Sequence, residues 1–260
     1  MIFYKYHGTG NDFILIDNRE QQRILSKQQI MFMCEQHFGI GADGLIFIEN
    51  HRSSDFEMVY HNSDGQRSTM CGNGARCAVL FAKQLGIFAG NSTVFFAADG
   101  IHHANVLEDD HIALTMNVNT DYDMHGTAFI MNTGSPQYVR FTYNLDSVNM
   151  SKEGRIIRNS AQFKKSGGVN VNFVEETKQG IFVRTYERGV ESETLSCGTG
   201  VTASSLAYYH KEKLSKSSLI KVETLGGNLQ VQIEVNDDKE ISTVWLIGPA
   251  QEVFIGEFDI

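Results

Sequence analysis

The 260-residue chain is short of prolines, of cysteine pairs and of positive charge. Its four cysteines, Cys34, Cys71, Cys77 and Cys197, contain no Cys-x-x-Cys spacing, so no structural zinc site or other metal centre is expected. The N-terminus, Met1-Ile2-Phe3-Tyr4-Lys5-Tyr6-His7, lacks a secretory pattern. A cytoplasmic protein with reduced thiols is therefore expected, not a disulfide framework. The longest apolar runs fall far short of the roughly 20 residues that cross a membrane. With 22 Lys and Arg against 31 Asp and Glu, the net charge of -9 argues against a nucleic-acid partner. Only two prolines occur, Pro136 and Pro249, and the latter follows the last strand-rich segment of the second half.

What is present is an ordinary globular composition, 42% hydrophobic and 20% charged, long enough for one large or two ordinary domains. Within it, Cys71 stands directly before Gly72-Asn73-Gly74, and the apolar run Ala78-Val79-Leu80-Phe81-Ala82 follows without a proline. This order reads as a thiol at the first turn of a helix. There the N–H groups and the helix dipole favour negative charge and lower a thiol pKa. Met70-Cys71-Gly72 has a counterpart in Ser196-Cys197-Gly198-Thr199-Gly200, at an offset of 126 (197 − 71).

The same offset relates Phe47-Ile48-Glu49 to Phe173-Val174-Glu175 and the Asp99-Gly100 turn to Leu225-Gly226, while Thr9-Gly10-Asn11 returns as Thr133-Gly134-Ser135. The chain thus reads as an internal duplication. Alternating apolar residues predict strands at 45–49, 56–60, 94–96, 102–107 and 111–118, with counterparts at 170–175, 181–187, 220–223, 229–235 and 244–247. Helices are expected over 27–37 in the first half, and after each cysteine over 78–85 and 201–209. The fold expected is α+β: two pseudosymmetric domains, each a curled, mainly antiparallel sheet around a central helix, with the active site in the cleft between them. The expected boundaries are 1–117 and 118–248, the first half being joined by a C-terminal strand within 249–260.

Two matched thiols suit inversion at a carbon centre. One removes a proton from one face while the other protonates the opposite face, and both exchange roles in reverse. The helix N-termini can hold the charge that spreads onto a neighbouring carboxylate. At the same offset His61 pairs with Glu187 and Asn62 with Arg188. Arg188 can grip a carboxylate by a forked hydrogen-bond pair. Glu187 can bind a substrate ammonium or accept a proton from a thiol.

Gly8-Thr9-Gly10-Asn11-Asp12-Phe13, Gly39-Ile40-Gly41-Ala42-Asp43-Gly44, Asn62-Ser63-Asp64-Gly65, the Cys71-to-Cys77 stretch and Glu187-Arg188-Gly189 leading to Cys197-Gly198-Thr199-Gly200 resemble, in that order and over the whole chain, diaminopimelate epimerase. The resemblance implies a cofactor-independent isomerase that interconverts LL- and meso-diaminopimelate for lysine and peptidoglycan precursor synthesis. It implies Cys71 and Cys197 as the acid/base pair, with Glu187 tuning the thiols. Gly72, Asn73, Gly198 and Thr199 correspond to the helix starts that hold the α-carboxylate. Asn11, Asn62, Asn170, Glu187 and Arg188 match substrate-binding positions. A homodimer is the candidate assembly, and the only other partner expected is the amino-acid substrate.

The sequence departs from the family at Gly134-Ser135-Pro136-Gln137, where the usual pattern ends in histidine. Gln137 forms hydrogen bonds but takes no proton at ordinary pH. Ser135 and Gln137 are auxiliary candidates, as is His61, read here as a compensating group. The alternatives are a cofactor-independent racemase or epimerase of another amino acid, such as proline, hydroxyproline or histidine, and a non-catalytic amino-acid-binding relative.

Overall fold

Thr9 and Gly10 both take positive φ, 52° and 82°, and turn β1 (Ile2–Gly8) back into β2 (Asn11–Asp17). The computed structural model describes residues 1–20, 24–165 and 167–259. After α1 (Lys27–Cys34) come β3 (Gly44–Glu49), β4 (Phe56–Asn62), α2 (Gly72–Gln84), β5 (Ser92–Ala97), β6 (Gly100–Val106) and β7 (His111–Thr115). Pairing runs β1–β2 antiparallel, β2–β3 parallel, β3–β4 antiparallel, β4–β5 parallel, then β5–β6–β7 antiparallel.

The second half opens with β8 (Tyr122–His125), β9 (Ala128–Asn132) and β10 (Pro136–Phe141), followed by α3 (Met150–Arg158) and α4 (Ala161–Lys164). Then come β11 (Asn170–Glu176), β12 (Ile181–Glu187), β13 (Ser192–Thr194), α5 (Gly198–Lys211), β14 (Ser218–Thr224), β15 (Gly227–Val235) and β16 (Ile241–Pro249). Here β9–β10 is antiparallel, β10–β11 parallel, β11–β12 antiparallel, β12–β14 parallel and β14–β15–β16 antiparallel. The two halves therefore repeat one order of parallel and antiparallel ladders. The last strand, β17 (Gln251–Glu257), lies antiparallel to β1. By internal contacts the chain divides into Met1–Thr115 with Gly248–Ile260, and Met116–Ile247.

Each unit is α+β, with its strands covered on two faces. In the first, α2 is buried from Gly72 through Ala82. Gly74 lies so close to the sheet that a Cβ there would stand 3.0 Å from the Ile46 side chain and 3.3 Å from Phe13. Alternate residues point the other way: Ile14, Ile16, Leu45, Phe47 and Val59 cluster with Ile30, Met33 and Cys34 of α1. In the second unit α5 is buried along most of its length. The opposite face gathers Tyr138, Val171, Phe173 and Tyr186 with Met150 and Phe163 of the α3–α4 segment. No helix among the described residues is long and apolar enough to cross a membrane.

Two details differ from the sequence expectation. The first helix ends at Cys34 and not near His37, because Glu35 is extended and His37 is left-handed at φ 75°. A helical pair, α3 and α4, also covers the second unit, where none was expected. The two central helices begin at Gly72 and Gly198, one residue after each cysteine, as the expected first-turn thiols require.

Candidate active site

Each central helix begins one residue after a cysteine. Cys71 and Cys197 are extended caps, with φ/ψ of −111°/119° and −120°/110°. Their carbonyls accept the first helical bonds, from the Ala75 amide at 2.7 Å and the Val201 amide at 2.8 Å. An α-helix has no internal acceptor for the N–H groups of its first turn, so both starts are built to hold negative charge. Glycines at 74 and 200 let these turns press onto the strands beneath them.

Around Cys71 the polar groups come from β2 and the loop before β3. The Cys71 thiol donates to Asn11 Oδ1 at 3.7 Å, and Asn73 Nδ2 donates to the same oxygen at 3.3 Å. Asn11 Nδ2 in turn donates to the Asp43 carboxylate, which also accepts from the Asp12 amide at 3.1 Å. Burial raises the Asp43 pKa against the pull of these bonds. Asp12 pairs with the buried Lys5 ammonium at 2.7 Å. One turn into α2, Arg76 is wholly buried; its Nη2 donates to Thr9 Oγ1 at 3.1 Å and its Nε to the Pro249 carbonyl at 3.1 Å. Burial lowers its pKa to about 10, partly offset by the neighbouring Cys77 and Cys71. The guanidinium stays charged at neutral pH. Asn62 ends β4 in a turn closed by Gly65, at φ 75°.

Around Cys197 a set of neutral side chains is linked by hydrogen bonds: Thr199 and Ser135 are half-buried, and Gln137 and Asn170 behind them are buried. The Cys197 sulfur lies 3.5 Å from Thr199 Oγ1. That hydroxyl is 3.1 Å from Ser135 Oγ and accepts from Gln137 Nε2 at 3.0 Å. Gln137 also donates to Ser135 at 2.7 Å, as Asn170 Nδ2 does at 3.0 Å. The Arg188 amide donates to Asn170 Oδ1 at 2.8 Å. Gln137, Asn170, Asn172, Thr185 and Glu187 occupy alternate positions of β10, β11 and β12 on the face that α5 covers.

The ladders also correct the equivalence read from a single offset. β3–β4 sets Gly44 opposite Asn62, whereas β11–β12 sets Val171 opposite Tyr186 and so, one residue on, Asn170 opposite Glu187. Phe13 with Gly44, and Gln137 with Asn170, fix Gly44 and Asn170 as counterparts. Glu187 is thus the counterpart of Asn62, and His61 matches Tyr186. His61 and Tyr186 both face away from the central helices: His61 stands edge-on to Phe47 with ring centroids 5.9 Å apart, and Tyr186 lies in the apolar cluster beneath α3. Burial, aided by Arg67, lowers the His61 pKa, and its Nδ1 has no hydrogen-bond partner among the described residues. A compensating role for His61 at the thiols does not fit this position. The other two thiols are buried: burial pushes Cys34 and Cys77 up to about 12, leaving both protonated and inert at neutral pH.

These constellations can be set beside known proteins. The protein family described as Diaminopimelate epimerase matches residues 3–121 and 129–253. The chain belongs to the diaminopimelate epimerase family. A diaminopimelate epimerase of Flavobacterium psychrophilum is 49% identical over 98% of each chain. That of Chlorobaculum tepidum is 40% identical over 96% of this chain and 98% of its own. The fold is also that of a Bacillus anthracis phenazine biosynthesis protein of the PhzF family, with a TM-score of 0.77 at 15% identity over 100% and 99% of the two chains.

Within this epimerase family member, the structure gathers Asn11, Cys71, Gly72 and Asn73 at one helix start, and Ser135, Gln137, Asn170, Cys197, Gly198 and Thr199 at the other. Glu187 and Arg188 end the strand beside the second group. Reading the sequence missed Asp43, which fixes Asn11, and Arg76, buried behind the first thiol. It also missed Asn172 and Thr185, which hold Gln137. Asp43 lies within the Gly39-to-Gly44 motif and Arg76 within the Cys71-to-Cys77 stretch, where a charge one turn into an otherwise apolar helix was the available signal. Asn172 and Thr185 had none.

Proposed function

We propose that this chain inverts the α-carbon of LL-diaminopimelate to give meso-diaminopimelate, without a cofactor, through Cys71 and Cys197 acting on opposite faces of that carbon. One thiolate takes the α-proton and becomes a thiol; the other thiol delivers its proton to the opposite face and becomes a thiolate. Charge developing on the α-carboxylate is met by the N–H groups of Gly72, Asn73, Gly198 and Thr199 at the two helix starts. Asn11, Asn62, Asn170 and Arg188 bind the substrate's polar ends, and Glu187 binds an ammonium or tunes the thiols. The observation that carries this reading is the repeated placement of a cysteine as the cap of a buried helix, each facing polar strand residues.

The reaction serves lysine and peptidoglycan precursor synthesis in the cytoplasm. We place the protein there as a homodimer. The outermost strand β17 supports that assembly, exposing Val253, Phe254 and Ile255 at 54%, 46% and 56%. Such an apolar strand is a surface that a soluble protein normally covers. Sedimentation of the purified protein reads the assembly directly; a monomer at all concentrations would refute it.

The activity is tested by incubating the reduced protein with LL-diaminopimelate in deuterated water. Loss of the α-proton signal together with appearance of the meso isomer is expected. Absence of both under reducing conditions would refute the proposed reaction.

A further inference from the structure

The hydrogen bonds around Cys197 have a direction that can be worked out from groups whose roles are fixed. The Tyr138 carbonyl can only accept, so Asn172 must turn its Nδ2 toward it, at 3.1 Å. The Asn172 Oδ1 then accepts from Thr185 Oγ1 at 2.8 Å, and Nδ2 also donates to Gln137 Oε1 at 2.9 Å. Gln137 is thereby locked with both Nε2 hydrogens aimed at Ser135 and Thr199. The Arg188 amide can only donate, so Asn170 must present its Nδ2 to Ser135. Ser135 Oγ therefore accepts twice, from Gln137 and Asn170, and its own hydrogen goes to Thr199. Thr199 Oγ1 accepts from Gln137 and Ser135, which uses both lone pairs. Its hydrogen is left for the Cys197 sulfur, 3.5 Å away.

The structure assigns Cys197 the acceptor end of this directed chain, so that Thr185, Asn172, Gln137 and Ser135 act through Thr199 to stabilise the Cys197 thiolate. A hydrogen bond to the charged form favours that form. Gln137, Asn172, Thr185 and Asn170 are each at most 4% exposed, so the inner part of the chain is shielded from competing water, while Ser135 and Thr199 at its end are half-buried. None of its members titrates near neutral pH, so the donor stays in place where a histidine would lose or gain a proton. The charged group that β12 presents on this face is Glu187, whose carboxylate opposes a thiolate. Gln137 and the two asparagines of β10 and β11 are neutral, the first turn of α5 holds no acidic residue, and the Arg188 guanidinium lies toward Gly167. Thr199 favours the ionised sulfur, together with the helix start. Cys71 is arranged the other way round, as a donor to Asn11 Oδ1 at 3.7 Å. Thr199, Gln137, Asn172 and Thr185 are positioning residues for the reaction proposed above, on which this inference rests.

The test measures iodoacetamide alkylation of each thiol between pH 5 and 10, with Cys71 and Cys197 quantified separately by peptide mass spectrometry. Thr199→Val should move the Cys197 profile upward by about one pH unit, slowing its alkylation near neutrality about tenfold. Thr199→Ser, which keeps the hydroxyl, should restore it, and Gln137→Met should move it in the same direction as Thr199→Val. The Cys71 profile should stay in place throughout and so report that the fold is intact. An unmoved Cys197 profile in Thr199→Val would overturn the assignment, as would Thr199→Ser behaving like the valine variant. If Thr199→Val fails to fold, Gln137→Met decides the matter by the same criterion. Alkylation needs no turnover, so a protein that leaves diaminopimelate unchanged can still pass or fail this test.

Discussion

Cys71→Ala and Cys197→Ala are each expected to lower conversion of LL- to meso-diaminopimelate by on the order of 10³-fold, within the range a positioned acid or base contributes. Each variant keeps one proton-transfer group, but inversion needs a base on one face and an acid on the other. Losing either should therefore cost about as much as losing both, and the double variant should be little worse than the singles. Neither thiol makes a side-chain capping bond to its helix. The substitution therefore removes no cap, and its stability cost should stay near or below about 1 kcal/mol. Meso product measured by chiral chromatography, beside a thermal melt of each variant, checks both halves of the expectation. Parent-like rates in either single variant would refute the two-thiol mechanism, and a collapsed melt would show a structural role for that thiol.

Much of this arrangement is legible in the sequence, for a local reason. A cysteine followed by Gly-Asn-Gly or Gly-Thr-Gly carries its helix-start geometry in adjacent residues, and the copy 126 residues on tied the two together. Alternating strands and Asp/Gly turns are equally local, and the ladders fall where that alternation put them. What stayed hidden depends on pairing between distant segments. β4 and β12 differ by one residue in their distance to the following cysteine, so an offset fixed on the cysteines matched His61 to Glu187 and put His61 on the wrong face. A slip of one residue in a strand reverses every side chain, which is why so small an error changed a role. The α3–α4 segment escaped notice because its helices are short and strongly charged, with Met150, Gly154 and Phe163 alone buried. Asn172 and Thr185 read as the polar half of ordinary strand alternation. Only the antiparallel register that sets them face to face, at 2.8 Å, reveals a buried network.

Gly200→Ala is expected to be the most damaging single-methyl change near the second thiol. A Cβ at Gly200 would stand 2.3 Å from Asn172 Oδ1 and 3.2 Å from Thr185 Oγ1. Alanine is the better helix former by about 1 kcal/mol. Were Gly200 merely a weak point in α5, the change would raise the melting temperature. Asn172 cannot swing away cheaply, however, since the Tyr138 carbonyl, Gln137 and Thr185 all hold it. Either the helix start lifts off the strands, costing about 1–3 kcal/mol in overpacking, or the amide lets go and leaves a buried polar group unsatisfied at about 1–3 kcal/mol. Set against the propensity gain of about 1 kcal/mol, either outcome leaves a net loss of up to about 2 kcal/mol. Activity should fall as well, because the displaced turn carries Thr199 and the N–H groups at Cys197. The matching change at Gly74 meets the ends of Ile46, Phe13 and Met58 at 3.0–3.4 Å, flexible apolar atoms that can yield. Gly74→Ala should therefore be the milder of the pair. Urea melts of both variants, with epimerisation rates on the folded fraction, decide the point. A Gly200→Ala protein at least as stable and active as the parent would mean that Asn172 is not locked, and that Gln137 is free to turn.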